Sequence, residues 1–320
     1  MTGNPPFSRD LCTLFSAEQT GQTHPPSALN RLAMASIAVA LVVMALKYIA
    51  YAITGSVALY SDALESIVNV ATAIAALVAV RIAERPADRS HQFGHHKAEY
   101  FSAGLEGALI LLAAILILIQ AYDAWLNPRV LSAPAAGLAI NGAAALINAG
   151  WAWHLITRGR ELRSPAITAD GWHLFADVAT SVGVIAGLLL ALATGWLFLD
   201  PLLAFAVALH ILWVGWRITR DSMSGLMDAS VAGDTMARIR DVIAANADGA
   251  LQIHDLRTRM AGRATFIEFH LVVPGEMPVT EAHDICDRLE RALTEAIEGA
   301  EVLIHVEPEG EAKSKGALTF

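Results

Sequence analysis

Charge is scarce in this 320-residue chain. Asp, Glu, Lys and Arg make up 17% of it and hydrophobic residues 55%, where an ordinary soluble protein is about 25% charged. The deficit is concentrated before residue 222, which excludes a simple soluble globule and points to an integral membrane protein with a polar tail. Cysteine is nearly absent. Cys12 and Cys286 are far apart and no CxxC occurs, so no disulfide framework is expected and the tail is read as facing a reducing compartment. The first 28 residues lack an apolar h-region, so they read as a loose cytoplasmic arm rather than a signal peptide. No HExxH lies in any apolar segment, which argues against an intramembrane metalloenzyme.

Six segments are long and apolar enough to span a bilayer, which takes about 20 residues: 31–54, 57–83, 100–126, 134–157, 167–194 and 199–219. Lys and Arg gather in alternate loops. Arg81, Arg85, Arg89 and Lys97 follow the second span, Arg158, Arg160 and Arg163 the fourth, and Arg217 and Arg220 the sixth. The opposite loops offer only Arg129, so both termini are expected in the cytoplasm of a multi-pass inner-membrane protein. Lys47, inside the first span, reads as snorkelling to the outer headgroups. Trp125 and Trp196 fall at outer span ends, and Gly183 and Gly187 form a GxxxG packing face.

From residue 229 the pattern changes to αββαβ, an expected α+β domain over 229–308 behind a six-helix transmembrane domain over 29–222. Residues 309–320 are expected to be disordered. Sixteen acidic and nine basic residues follow residue 228, so −7 of the net charge of −9 lies there. That balance argues against nucleic acid and suits cations.

The polar residues inside the spans carry the chemistry. An ionisable side chain at bilayer depth costs roughly 2.5–3.5 kcal/mol on insertion scales and marks a functional site by default. Glu65 and Asn69 are four residues apart on the second span, and His173 and Asp177 on the fifth, so each pair shares one helical face. If these helices are neighbours, four N and O donors converge, a set suited to Zn²⁺ or a first-row relative. The alternative is interhelical hydrogen bonding with no ion. Asp62 and Asp170, one turn before each pair, are expected to line a water-filled approach. Glu106 has no assigned role. In the loop after the second span, Asp88, His91 and His95 have metal-ligand spacing if the chain turns there.

These stretches together resemble the cation diffusion facilitator family of divalent-metal exporters. "GSVALYSDALESIVNV" resembles its second span, "ADGWHLFADV" its fifth, "PADRSHQFGHHKAE" its loop, and "HDLRTR…FIEFHLVV…EAH…IHVEP" its cytoplasmic domain. The resemblance implies a homodimer with a metallochaperone-like tail, working in the membrane lipid and exchanging metal for protons. It implies a loop metal site at Asp88, His91 and His95, and a charge interlock between Lys97 and Asp228. It also implies a binuclear site at the tail–tail interface, of His254, His270, His283 and His305 with Glu307, while Cys286 reads as packing. No catalytic cofactor is expected. The bound cation, as substrate and regulator, would be Zn²⁺, Fe²⁺, Mn²⁺, Co²⁺ or Cd²⁺. One departure stands out: the family's second span carries Asp or His and then Asp, where this chain has Glu65 and Asn69. Monovalent-cation/proton antiport and metal sensing without transport remain as alternatives.

Overall fold

The computed structural model describes residues 27–54, 57–127, 135–196, 198–313 and 317–319. The N-terminal arm, Cys12 and Arg129 therefore lie outside the described residues, as do the side chains of Asp62, Glu65 and Gly187.

Six long helices come first: α1 (Ala28–Thr54), α2 (Val57–Ala83), α3 (Ala98–Leu126), α4 (Ala135–Glu161), α5 (Pro165–Thr194) and α6 (Leu199–Leu226). Among the described residues, four stretches are long and apolar enough to cross a membrane: Ala28–Ile53, Ser66–Ala83, Ala98–Leu126 and Pro201–Leu226. The packing is inverted relative to a soluble bundle. Leu112, Ile119, Leu146 and Trp153 face outward, while Ser36, Asn69, Thr72, Glu106, Asn148, Asp170 and His173 are buried. Such a surface needs an apolar solvent.

Pairing is set by small residues and continuous apolar stripes. Residues of α1, α2, α4 and α5 share one core through Leu29, Ala33, Val80, Ala152, Leu155 and Ile167. A second core joins α3, α5 and α6 through Ile110, Ala114, Ala176 and Ile211. Helices α3 and α6 lie close enough that a Cβ on Gly107 would strike Thr219 and one on Gly225 the Tyr100 ring. Gly183 packs on Val207, where an added Cβ would meet a methyl at 2.9 Å. Lys47 differs from its expected snorkelling. It is 5% exposed, because it continues the buried stripe of Ser36, Ala40, Val43 and Ala50 along α1. Trp125 and Trp196 are exposed near span ends.

The tail is α7 (Gly233–Asn246), β1 (Gln252–Ala261), β2 (Ala264–Val273), α8 (Val279–Ala296) and β3 (Ala300–Pro308). Alternating Ile267, Phe269, Leu271 and Val273 pack with Ile239, Ile243, Ile285, Leu289 and Leu293 into one core between sheet and helices. Strands β1 and β2 pair antiparallel, and β2 and β3 pair parallel across α8. Beyond β3, where disorder is expected, Glu309–Glu311 form a 3₁₀ turn and β4 (Leu318–Thr319) pairs with β1. The Gln252 carboxamide anchors this segment by bonding both backbone groups of Lys313.

Candidate metal centres

The first centre lies within the helix bundle, where α2 meets α5. The Asn69 amide donates to Asp177 Oδ2 at 2.5 Å, and its carbonyl oxygen is 2.9 Å from His173 Nε2. Asn69 and His173 are 3% and 5% exposed. His173 Nδ1 has no hydrogen-bond partner among the described residues. With Nε2 donating to the Asn69 carbonyl, Nδ1 keeps an open lone pair on a buried ring. Asn69 thus bridges His173 and Asp177, so three of the four expected residues meet between α2 and α5. Glu65 sits on α2 one turn before Asn69, with its side chain outside those described.

Nearby polar groups face inward. Asp170 is 1% exposed and accepts a hydrogen bond from Ser36 Oγ at 2.5 Å, which ties it to α1. Glu106 is fully buried, and neither carboxylate oxygen has a hydrogen-bond partner among the described residues.

The second centre is in the loop between α2 and α3. Asp88 Oδ1 accepts from the backbone N–H of Ser90 and His91 and from the Ser90 hydroxyl, which folds the loop into a tight turn. Gly94, at φ +78°, continues the turn where a side chain would be strained. His91 Nδ1 and His95 Nε2 then lie 3.5 and 3.3 Å from the Asp88 carboxylate, with their rings 4.4 Å apart. The Ser90 hydroxyl, followed by the two backbone N–H groups, lowers the Asp88 pKa to about 2. A ligand carboxylate is therefore ionised at neutral pH. His95 Nδ1 is buried without a hydrogen-bond partner among the described residues.

The third centre is on the sheet face opposite α7 and α8. Register places His254 across from His270, and His270 beside His305, so one histidine row crosses three strands. Glu307 reaches into this row. Its carboxylate lies 2.8 Å from His270 Nδ1, 3.2 Å from His254 Nε2 and 3.7 Å from His305 Nε2. Both ring nitrogens of the buried His254, His270 Nδ1 and Glu307 Oε2 nonetheless lack a partner with hydrogen-bond geometry.

Two residues depart from the expected tail set. His283 stands on α8, exposed and 3.6 Å from Asp287, and is not brought to the row within this chain. Asp255, which alternation places on the other face, joins His254 and His270 in a compact donor cluster. A bulge between His254 and Arg257 turns it over, at φ +52°. Cys286 is buried in the tail core and its thiol pKa is raised by burial, as a packing residue rather than a ligand.

Loop, bundle and tail are joined next to the second centre. Lys97 Nζ pairs with Asp228 at 2.9 Å and donates to the Leu226 carbonyl. Arg259 of β1 also reaches Asp228, at 3.5 Å, and its guanidinium lies over Phe93 and Phe266.

Comparison with known proteins agrees with this layout. The family profile described as "Cation efflux transmembrane domain" matches residues 33–227, and "Cation efflux protein, cytoplasmic domain" matches 231–309. An uncharacterised transporter of Synechocystis sp. is 46% identical over 282 residues, covering 88% of this chain and 91% of its own length. The cation-efflux pump FieF of Serratia proteamaculans is 32% identical over 279 residues, covering 86% and 91%. The zinc form of the putative zinc transporter CzrB covers 26% of this chain and 96% of its own, at 52% identity and a TM-score of 0.26. The chain therefore belongs to the cation efflux, or cation diffusion facilitator, family of membrane transporters.

Proposed function

We propose that this protein exports a divalent first-row cation, Zn²⁺ or a close relative, from the cytoplasm in exchange for protons, acting as a homodimer. One observation carries the reading: His173, Asn69 and Asp177 converge from two helices inside an apolar-surfaced bundle. A buried imidazole beside a half-buried carboxylate suits a borderline divalent ion better than Na⁺ or K⁺, which take oxygen ligands. Imidazole and carboxylate must be unprotonated to bind metal, so binding and proton release are coupled at these side chains. Glu65 is the fourth ligand in this reading.

Alternating access requires the site to open in turn to each face. The closed contacts around Asp170 and the cluster fit a state between the two openings, with rocking of α3 and α6 against the other helices as the motion. The loop and tail centres hold regulatory cations, with the tail centre completed at a tail–tail contact where His283 can meet it from the partner. Both termini are cytoplasmic, matching the basic loops.

Proteoliposomes with an imposed pH gradient test the proposal. Zinc, manganese, ferrous iron and cobalt are offered to the wild type and to Asp177→Ala. Wild type should move at least one of them, and Asp177→Ala should lose at least nine-tenths of that flux while the tail still binds metal. Metal binding by the tail without any flux in the wild type would replace the exporter reading with a sensor.

A further inference from the structure

Where the helix bundle meets the tail, α3, α4, α5 and α6 enclose a cavity of about 400 Å³ that none of the metal-centre residues lines. Its chemistry is opposite to theirs. Arg160, Arg163 and Arg217 border it, against one carboxylate, Asp221, which already lies within ion-pair distance of Arg217 and Arg220. A cation path would not be lined this way.

Two of the arginines lie beside aromatic rings. Arg160 lies over the Trp172 ring and Arg217 over the Trp213 ring, with guanidinium carbons 5.7 and 5.8 Å from the ring centres. A cation–π contact at that distance draws each guanidinium toward the ring and leaves its N–H groups available to an oxyanion. Among the described residues, Arg160 has no carboxylate partner. Arg163 takes a left-handed backbone at φ +50° between α4 and α5, and it reaches the Glu298 carbonyl and Thr265 of the tail.

Depth identifies the ligand. Arg160 and Arg163 follow the expected end of the fourth span at 157, and Arg217 lies two residues before the expected end of the sixth at 219. That is headgroup level on the basic side of the protein. Deeper along α5 and α6 than the arginines, Ala169 and Val214 add apolar wall. Met260 and Gly262, from the β1–β2 hairpin, form the roof. Such a cavity offers a basic, aromatic mouth for a phosphate ester and an apolar floor for the chains attached to it.

We propose that this cavity binds an anionic phospholipid of the inner leaflet, its phosphate held by Arg160, Arg163 and Arg217, so that a lipid is wedged between the helices and the tail. A zwitterionic lipid would bring its own cation to three guanidiniums and is rejected.

The test uses the purified full-length protein, delipidated and offered equal amounts of phosphatidylglycerol and phosphatidylcholine, with adducts counted by native mass spectrometry. Wild type should retain phosphatidylglycerol in clear preference. Each guanidinium near a headgroup contributes about fivefold to anionic-lipid affinity, so Arg160→Gln/Arg217→Gln should lower retention by more than tenfold. Arg238→Gln/Arg240→Gln on exposed α7 makes the same charge change and should keep it. Equal uptake of the two lipids by wild type overturns the proposal without any variant, as does undiminished preference in Arg160→Gln/Arg217→Gln. A third arm separates sources: displacement of phosphatidylglycerol by excess inorganic phosphate would make the occupant a free anion and overturn the lipid claim, whereas retention supports it.

Discussion

Asn69 separates this protein's membrane site from an all-ionisable one. Its amide gives Asp177 a neutral donor at 2.5 Å and His173 an acceptor at 2.9 Å, so the site holds together without sharing a proton. An aspartate in its place would set a second carboxylate beside Asp177, and two carboxylates that close share a proton until a cation displaces it. Asn69→Asp should therefore add about one proton to the exchange, steepening apparent metal affinity by roughly tenfold per pH unit. The preference among zinc, manganese and iron should change with it. Transport assays between pH 6 and 8 read both effects, and an unchanged pH slope would show that Asn69 does not touch the cation. The i, i+4 spacing made this pair legible in the sequence, because a helix keeps such residues on one face. The closure of Asp170 against Ser36 was not legible, since it depends on how α1 packs on α5.

At the scale of elements, the tail sheet shows why part of its centre escapes a linear reading. His254, His270 and His305 lie on three strands, and only strand register brings them together. The αββαβ order was readable from periodicity, but register is a tertiary property. Asp255 was hidden for a sharper reason: the bulge reverses the face that alternation assigns to it. Short β4 was invisible too, because two residues carry no periodic signal. Its segment matters to the site, since Lys313 Nζ lies 2.5 Å from Asp255. The Lys313 ammonium is the first cause of the lowered Asp255 pKa. An ammonium there competes with a metal cation for the same oxygens. The pair is exposed and screened by solvent, so Lys313→Ala should tighten metal binding at the tail by no more than about fivefold. Calorimetric titration of the full-length protein carrying Asp177→Ala, which silences the membrane site, measures this. Weaker binding in Lys313→Ala would mean that the strand supports the site rather than competing for it.

For the whole molecule, the question is how events at the tail reach the bundle. The connection is narrow. Beyond the chain itself, the contacts among the described residues include Lys97 and Arg259 on Asp228, Phe93 edge-on to Phe266, Arg263 near Glu84, and Arg163 near Glu298. His96 packs beneath Gly262 at the same seam, and its pKa is lowered by burial, which favours the neutral ring there. Asp228 is central because one carboxylate serves a cation from the loop and another from β1. Its pKa is lowered chiefly by the Lys97 hydrogen bond. A carboxyl lowered on folding contributes stability that is present above its unfolded value, near 4, and is lost as pH falls through the folded value. The seam should therefore be insensitive to pH between 5 and 8 and loosen only in stronger acid. Asp228→Asn removes the charge without straining the left-handed backbone at φ +60°, which asparagine tolerates. Solvent screening at a half-exposed pair limits the loss to about 1 kcal/mol, so protease cleavage between residues 227 and 233 should quicken by roughly fivefold at neutral pH. Transport should fall while each metal centre keeps its affinity, because none of its ligands has changed. Equal cleavage rates and full transport in Asp228→Asn would mean that the remaining contacts, Phe93 on Phe266 with the Arg263–Glu84 and Arg163–Glu298 pairs, carry the connection without it.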